Sequence, residues 1–267
     1  INVKTALIFV GISILLTSAL FYAFAATPSS TFYISSGVYP GAPSFTVWRE
    51  GGNYFAKDSN GLLKFSGTNA SQIIQNAVDN GKTIFLKNGF YDFNDARVLI
   101  PSNRRIIGES NSETIIRMKQ TTHEDVAFSN LNYMNYDPPQ NEYITIENLR
   151  IDASFATQKT NPIWLRGVNH AVIQNCVIEK FNGTNAAGIS LIYSNGSRIT
   201  HNIVKHGGWG GSDSVEAMYI AYSNFTIIEA NNIQDMSREG IYVTSGCEHI
   251  VITNNIIHDV AEGINVK

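Results

Sequence analysis

The sequence Ile146-Glu-Asn148-Leu-Arg-Ile151 recurs four more times, in varied form, in the second half of the chain. The later copies are Ile173-Gln-Asn175-Cys-Val-Ile178, Ile199-Thr-His201-Asn202-Ile-Val204, Ile228-Glu-Ala230-Asn231-Asn-Ile233 and Ile252-Thr-Asn254-Asn255-Ile-Ile257. The first isoleucines of successive copies lie 27, 26, 29 and 24 residues apart. A repeat with a period of this length indicates a solenoid.

A second short sequence recurs with the same period between copies of the first. Its versions are Ile163-Trp-Leu165, Gly188-Ile-Ser-Leu191, Ala217-Met-Tyr-Ile220, Gly240-Ile-Tyr-Val243 and Gly263-Ile-Asn-Val266. Both sequences are rich in Ile and Val and are bounded by Gly, Asn and Ser, which is typical of short β-strands. We therefore predict an all-β fold, a parallel β-helix in which each strand pairs with its equivalents about 4.8 Å above and below.

The asparagines of the first repeat have a structural explanation. Asn tolerates the left-handed backbone conformation that a sharp turn between two strands requires. We predict that Asn148, Asn175 and Asn254 form a ladder of such turns, with amides hydrogen-bonded from coil to coil. His201 and Ala230 occupy the same position and interrupt the ladder.

The composition fits one elongated domain that does not bind nucleic acid. Of 267 residues, 43% are hydrophobic and 15% charged, and 19 Lys and Arg are scattered among 22 Asp and Glu, for a net charge of −3. A nucleic-acid-binding protein would be expected to concentrate basic residues in one stripe. Cys176 and Cys247 fall about three coils apart, beyond the reach of a disulfide, so we expect two free thiols.

Residues 1–26 differ from the rest of the chain. Thr5 to Ala26 is apolar and uncharged over 22 positions, which is long enough for a helix that spans a membrane. Its length favours a retained signal anchor, whereas Ala23-Phe-Ala25 offers a site for cleavage of a signal peptide. A pilin-like assembly helix is a third interpretation. The first two place the remaining residues outside the cytoplasmic membrane, at the cell surface or in the extracellular space.

Four sequons for N-glycosylation fit this location: Asn69, Asn182, Asn195 and Asn224. Such triplets also arise by chance in a chain rich in Asn, Ser and Thr. Asn69 has a competing role, because it can cap a helix at residues 70–80, with Gln72 reaching back as in a capping box and Gly81 after the last turn. The apolar face of this helix can cover the open end of the first coil.

The segment that begins with this helix resembles the opening of the pectate-lyase superfamily of right-handed β-helix proteins. The resemblance is carried by Gly67-Thr-Asn-Ala70-Ser-Gln-Ile-Ile74-Gln-Asn-Ala77-Val-Asp79, by Gly81-Lys-Thr-Ile-Phe-Leu86-Lys-Asn-Gly89-Phe-Tyr91 and by Ile106-Ile-Gly108-Glu109. It implies a right-handed parallel β-helix over residues 67–267, preceded by a linker and an irregular or β segment at 27–66. The superfamily contains lyases, hydrolases, epimerases and surface proteins without known chemistry, so the fold does not select an activity.

Candidate functional residues lie where the period stretches or where carboxylates align. The longest connection runs from His206 to Glu216 and contains Trp209, whose flat apolar surface suits a sugar. Stacking places Asp235 one strand spacing from Asp259, and Glu239 one strand spacing from Glu262. The candidate catalytic residues are Asp213, Asp235, Arg238, Glu239 and Asp259, and the candidate substrate-binding residues are His206, Trp209, Glu216 and Glu262.

Two chemistries fit this set. A glycosidase needs two carboxyl groups that flank the scissile bond about 5 to 9.5 Å apart. A lyase or epimerase acting on an acidic sugar needs a base and a group that neutralises the sugar carboxylate, either an Arg or Ca²⁺ held by Asp213, Glu216, Asp235 and Asp259. The alternative is a non-catalytic structural or adhesive protein of the cell surface, on which these side chains only solvate the rod.

The chain is therefore expected to be an extracytoplasmic polysaccharide-binding protein, with the membrane as a second partner through residues 1–26. Ca²⁺ is the one candidate cofactor. Because the sequence lacks an initial Met and ends at Lys267, inside a coil, we expect it to be a fragment of a longer protein.

Overall fold

The computed structural model describes residues 42–119, 121, 125–134, 141–208 and 214–267. Within this part of the chain, Pro43–Lys267 form one compact unit. The apolar segment Thr5 to Ala26, Trp209 and Asp213 lie outside the described residues. No helix in the described ranges has the length and hydrophobicity needed to cross a bilayer.

The elements follow one another as 24 strands and one helix within the described ranges. In chain order they are β1 (Phe45–Glu50), β2 (Asn53–Asp58), β3 (Leu63–Gly67), α1 (Ala70–Asn80), β4 (Thr83–Leu86), β5 (Gly89–Phe93), β6 (Val98–Ile100), β7 (Arg104–Gly108), β8 (Thr114–Met118), β9 (Asp125–Asn130), β10 (Asn141–Glu142), β11 (Ile144–Glu147), β12 (Arg150–Asp152), β13 (Thr160–Arg166), β14 (Val168–Asn169), β15 (Val172–Gln174), β16 (Val177–Glu179), β17 (Ala186–Ile192), β18 (Arg198–Thr200), β19 (Ile203–Gly207), β20 (Val215–Ala221), β21 (Ile227–Glu229), β22 (Asn232–Thr244), β23 (Val251–Thr253) and β24 (Ile256–Val266).

The repeats stack as coils whose strands pair in parallel, as the sequence predicts. The first face of the rod contains β4, β7, β11, β15, β18, β21 and β23. The second face contains β5, β8, β12, β16 and β19, and the third contains β6, β9, β13, β17 and β20. The long strand β22 crosses between the last two faces, because its first half pairs with β19 and its second half with β20. The long strand β24 pairs with β22 along both halves.

The isoleucines of the first repeat build the core. Ile146, Ile173, Ile199 and Ile228 are in register on neighbouring strands of the first face, and all four are completely buried. The glycine of the second repeat is also explained by packing. A Cβ atom on Gly188 would lie 2.9 Å from side-chain atoms of both Phe181 and Val204, so a larger residue would disturb the core.

The N-terminal part of the rod is closed by a β-meander and a helix. Strands β1, β2 and β3 pair antiparallel, and β1 also pairs in parallel with β4, which continues the sheet of the first face. Except for Gly67 at the end of β3, these strands fall within residues 27–66, for which the sequence predicts a linker and an irregular or β segment. Helix α1 buries Ile73, Ile74, Ala77 and Val78, as predicted for a lid on the first coil.

The ends of α1 are built partly as predicted. Asn69 caps the helix, since its Oδ1 accepts from the backbone N–H of Gln72. The reciprocal half of a capping box is absent, because the Gln72 side chain donates instead to Asn76. Gly81 is extended rather than left-handed, with φ −140°. Glycine is required there because a Cβ would lie 2.6 Å from the Phe45 ring.

The predicted turn ladder is confirmed and extended. Asn148, Asn175, His201, Ala230 and Asn254 are all left-handed, with φ between 54° and 57°, and Asn175 Nδ2 donates to Asn148 Oδ1 at 2.8 Å. A longer amide ladder runs through the next position, where Asn202, Asn231 and Asn255 bond one another in succession.

The side-chain amides of two sequon asparagines bond the backbone of the following coil. Asn195 Oδ1 accepts from the backbone N–H of Asn224, and Asn224 Oδ1 accepts from that of Glu248, so two sequon amides stabilise turns. Glycosylation of these residues remains a prediction.

Cys176 is buried, Cys247 is partly buried, and both thiols are free.

Candidate functional site

One column of outward side chains runs along the third face of the rod. Leu165 and its equivalents point inward, so the preceding residue on each strand points outward. The strand registers align these outward residues on five neighbouring strands. They are Trp164 on β13, Ser190 on β17, Tyr219 on β20, Tyr242 on β22 and Asn265 on β24.

A second column, near the start of the same strands, contains the carboxylates. Ala187 on β17 is in register with Glu216 on β20, and Glu239 on β22 is in register with Glu262 on β24. Because Met218 is the register partner of Ile241, Glu216 and Glu239 lie at equivalent positions two residues earlier. The stacking of Glu239 and Glu262 predicted from the sequence is confirmed.

Arg238 joins the two buried carboxylates of this column. Its Nη1 lies 3.0 Å from Glu216 Oε1, and its Nε lies 2.9 Å from Glu239 Oε2. Nη1 also donates to Ser214 Oγ at 3.2 Å. On the far side, Asn265 Nδ2 donates to Glu239 Oε1 and to Glu262 Oε2, at 3.1 and 2.7 Å. The hydrogen-bond donors of Arg238 and Asn265 therefore lie between the carboxylates of Glu216, Glu239 and Glu262.

Burial distinguishes Glu216 from Glu239. The Glu239 side chain is completely buried, whereas Glu216 retains 5% exposure and reaches the wall of a groove. Burial raises the pKa of Glu216, and the nearby charge of Glu239 raises it further, against the opposing effect of Arg238. Burial also raises the pKa of Tyr219, so this phenol keeps its proton at neutral pH.

These residues line a groove with a cavity volume of about 520 Å³, within the range of natural ligand sites. Its wall is formed by Lys159, Asn161, Trp164, Asn185, Ala187, Ser190, Ile192, Glu216, Tyr219, Arg238 and Tyr242. The aromatic rings give it apolar surfaces. Lys159 and Arg238 are the cationic residues of this lining, and Glu216 is its one carboxylate.

Several polar groups at the groove have no partner within the described part of the chain. The indole Nε1–H of Trp164 is buried without a hydrogen bond. The Ser190, Tyr219 and Tyr242 hydroxyls likewise bond no described residue. An apolar groove with spare donors suits a hydroxyl-rich ligand, because such a ligand can satisfy these groups.

The residues predicted from the sequence divide between two places. Glu216, Arg238 and Glu239 come together at the groove, and Glu262 is linked to them through Asn265. Asp235 and His206 instead pair with each other, with Oδ2 and Nδ1 3.0 Å apart. Asp259 lies beside His258, 2.8 Å from its Nδ1, and is well exposed.

The separation follows from the turn that contains these residues. His206, Asp235 and Asp259 are all left-handed, with φ of 56°, 55° and 54°, so they form the corner between the second and third faces. None of the three is among the groove-lining residues in the described ranges. The predicted catalytic roles of Asp235 and Asp259 remain predictions.

The described residues do not fit the Ca²⁺ site considered from the sequence. No group of three His, Cys, Asp or Glu side chains converges anywhere in the described ranges. Of the four candidate ligands, Asp213 lies outside the described residues, Glu216 pairs with Arg238 and Asp235 pairs with His206.

The aromatic column was not identified from the sequence, although the signal was present. Trp164, Ser190, Tyr219, Tyr242 and Asn265 are the outward residues of the second repeat, and three of the five are aromatic. Alternation of inward and outward residues along a strand would have singled them out. Lys159, Asn161 and Asn185 precede the repeat, where no comparable pattern exists.

Comparison with known proteins establishes the fold. Residues 139–267 match the family model described as the right handed beta helix region, and the predicted right-handed β-helix is confirmed. No curated protein sequence matches the chain.

Solved structures with the same fold include an enzyme module and a viral protein. The A-module of the mannuronan C-5 epimerase AlgE6 from Azotobacter vinelandii is 14% identical, with a TM-score of 0.59 over 73% of this chain and 54% of the module. ORF18 of Geobacillus virus E2 is 12% identical, with a TM-score of 0.56 over 81% of this chain and 57% of that protein. This chain thus spans little more than half the length of either.

A third similar structure is a proposed glycosyl hydrolase from Parabacteroides merdae. It is 13% identical, with a TM-score of 0.51 over 70% of this chain and 89% of that protein. At these identities the similarity concerns the fold, and activity has to be argued from the groove.

Proposed function

We propose that this right-handed β-helix protein binds an acidic polysaccharide in the groove of its third face and transfers a proton at the bound sugar. The observation that carries the proposal is the position of Arg238 and Glu216, which share an ion pair at the wall of an aromatic groove. Following the expectation from residues 1–26, we place the protein outside the cytoplasmic membrane.

The groove suits a sugar that carries a carboxylate. Trp164, Tyr219 and Tyr242 offer rings on which the apolar faces of a sugar can pack. Lys159 and Arg238 supply positive charge, and guanidinium groups bind carboxylates well. Glu216 opposes a second carboxylate less than an unpaired glutamate would, because its charge is paired with that of Arg238.

The burial of Glu239 favours proton abstraction over hydrolysis. A glycosidase needs two carboxyl groups facing the scissile bond, whereas Glu216 alone provides a carboxylate to the groove lining. In a lyase or epimerase, the ionised Glu216 takes the proton from C5, whose acidity rises when Arg238 neutralises the adjacent sugar carboxylate.

The two reactions differ in how the resulting carbanion is resolved. In elimination, its electron pair forms the C4–C5 double bond, the bond from C4 to the glycosidic oxygen breaks, and the leaving oxygen takes a proton from Tyr219. In epimerisation, the carbanion takes a proton from water on the opposite face of the ring, and no glycosidic bond breaks. Tyr219 is protonated at neutral pH because burial raises its pKa, so its proton is present for the leaving oxygen in elimination.

Deuterium exchange tests both reactions together. The protein is incubated with alginate, polygalacturonate or hyaluronate in D₂O, and incorporation at C5 is followed by NMR, together with the ultraviolet absorbance of unsaturated products. We expect exchange with the wild type and at least a hundredfold slower exchange with Glu216→Gln, within the range for loss of a general base. Binding of polymer by the wild type with neither deuterium at C5 nor absorbance of unsaturated products would contradict the catalytic part.

A non-catalytic binding protein is the second candidate. It is favoured by the ion pair between Glu216 and Arg238, because a paired carboxylate is a weaker base than a free one. For this candidate the groove binds polysaccharide, and Glu216 serves only to hold Arg238 in place.

A further inference from the structure

Strand β17 contributes two small residues to the lining of the groove. Ala187 and Ser190 are 3% and 4% exposed and form its floor. On one side stand Asn161 and Trp164 of β13, and on the other stand Glu216 and Tyr219 of β20. Since neighbouring strands are about 4.8 Å apart, the two sides are separated by roughly 9.6 Å. We call this depression the β17 slot.

The small size of Ser190 is not demanded by the packing of the sheet. Its equivalents on β13, β20 and β22 are Trp164, Tyr219 and Tyr242, so this outward column accommodates large rings. The situation differs at Gly188, where a side chain would collide with the core. The sheet could therefore accommodate a larger side chain in place of Ser190, and the serine leaves that space open.

We infer that one sugar ring of the bound polysaccharide occupies the β17 slot, and that Ala187 and Ser190 determine binding because they are small. This inference rests on the proposed function. It adds that one sugar unit lies in the β17 slot and that recognition depends on Ala187 and Ser190.

The surroundings of the slot match the two kinds of surface on a sugar ring. The rings of Trp164 and Tyr219 rise on opposite sides of the slot and can cover the C–H faces of a pyranose. The hydroxyls of Ser190 and Tyr219 can bond its oxygens. Glu216 stands at the edge of the same slot, so a ring placed there meets the proton-transfer group.

The test is to fill the slot with the residue that neighbouring strands already carry. Ser190→Tyr continues the aromatic column, which favours a stable sheet, while its ring occupies the place of the sugar. Polymer affinity is measured by the retardation of the native protein in gels that contain alginate, polygalacturonate or hyaluronate. We expect Ser190→Tyr to bind at least tenfold more weakly than the wild type, and Ser190→Ala to remain within threefold.

Val172→Tyr is the matched control, because it adds the same ring to β15 on the first face, away from the slot. It should bind as the wild type does. If Ser190→Tyr does not fold, as judged by its circular dichroism and thermal unfolding, Ala187→Gln fills the other half of the floor and carries the same expectation.

The results separate the two claims. If the wild type is retarded by a polymer and the folded slot-filling variant is retarded equally, the slot inference is wrong while the proposed binding stands. If the wild type is retarded by none of the polymers, the proposed function is wrong and the slot inference falls with it.

Discussion

At the scale of single residues, Glu216 is the group whose ionisation the fold opposes. Its pKa is raised above the ordinary value of 4.5, first by burial and then by Glu239. A carboxyl group with a raised pKa in the folded state contributes stability that is fully present below its unfolded pKa and is lost as the pH rises through the folded pKa. The wild type should therefore lose stability in this window, which begins near pH 4.5.

Glu216→Gln tests this expectation. Since glutamine does not titrate, the free energy of unfolding of the variant should change less than that of the wild type over the same window, measured with urea at a series of pH values. Parallel curves for the two proteins would show that Glu216 is not perturbed.

Asn231 is the residue whose loss should destabilise the rod most clearly. It is 1% exposed, its Oδ1 accepts from the backbone N–H and the side chain of Asn202, and its Nδ2 donates to Ile199 O and Asn255 Oδ1. Asn231→Ala leaves these buried groups without partners, which should cost about 3 kcal/mol of unfolding free energy in urea.

The comparison for Asn231 is Asn254, which is exposed and left-handed. Asn254→Ala loses mainly the conformational advantage of asparagine, so it should cost only about 1 kcal/mol. Equal losses for the two variants would mean that the inner amide ladder is not what holds the turns together.

At the scale of elements, helix α1 depends on its cap. Asn69 Oδ1 accepts from the Gln72 backbone and from Ser71 Oγ, and no side chain returns the bond as a capping box would. Asn69→Ala should therefore cost about 1 kcal/mol, and Asn69→Asp should retain most of the stability. Hydrogen exchange should show faster opening of α1 in the alanine variant, and unchanged protection of α1 would contradict the assigned role of the cap.

How much the sequence reveals also differs between elements. The strands of the first face could be placed from the repeat, because one buried isoleucine per coil leaves a regular signal. The helix could be placed from its apolar face, but the conformation of Gly81 could not, because its cause is the distant Phe45 ring. Of the groove-lining residues, the charged Glu216 and Arg238 could be predicted from the sequence, whereas the aromatic and small residues were found only from the register of the strands.

The positions of the carboxylates could also be predicted only in part from the sequence. Their stacking could be predicted, because register follows from the period. Which of them share a site could not be predicted, because Asp235 and Asp259 lie at left-handed bends within β22 and β24, whereas Glu216 and Glu239 do not. Only the course of the chain around the coil separates these positions.

At the scale of the whole molecule, the coils of the rod are regular in their core and turns but vary in the outward residues of the third face. The turn ladders and the aliphatic core repeat from coil to coil, whereas the outward column of the third face changes from Trp164 to Ser190 and then to Tyr219 on successive strands. Variation on a regular frame is expected where binding rather than folding sets the residue types. The central claim is therefore that polysaccharide binds in the groove of the third face.

The most direct measurement of this claim compares two tryptophan variants in gels containing acidic polysaccharide. Trp164 lines the groove, whereas Trp48 stacks on Phe55 in the N-terminal meander, with ring centroids 5.4 Å apart. We predict that Trp164→Ala weakens retardation at least tenfold, as loss of a stacking ring should, and that Trp48→Ala leaves it unchanged. Equal retardation of the wild type and a folded Trp164→Ala protein would contradict the account.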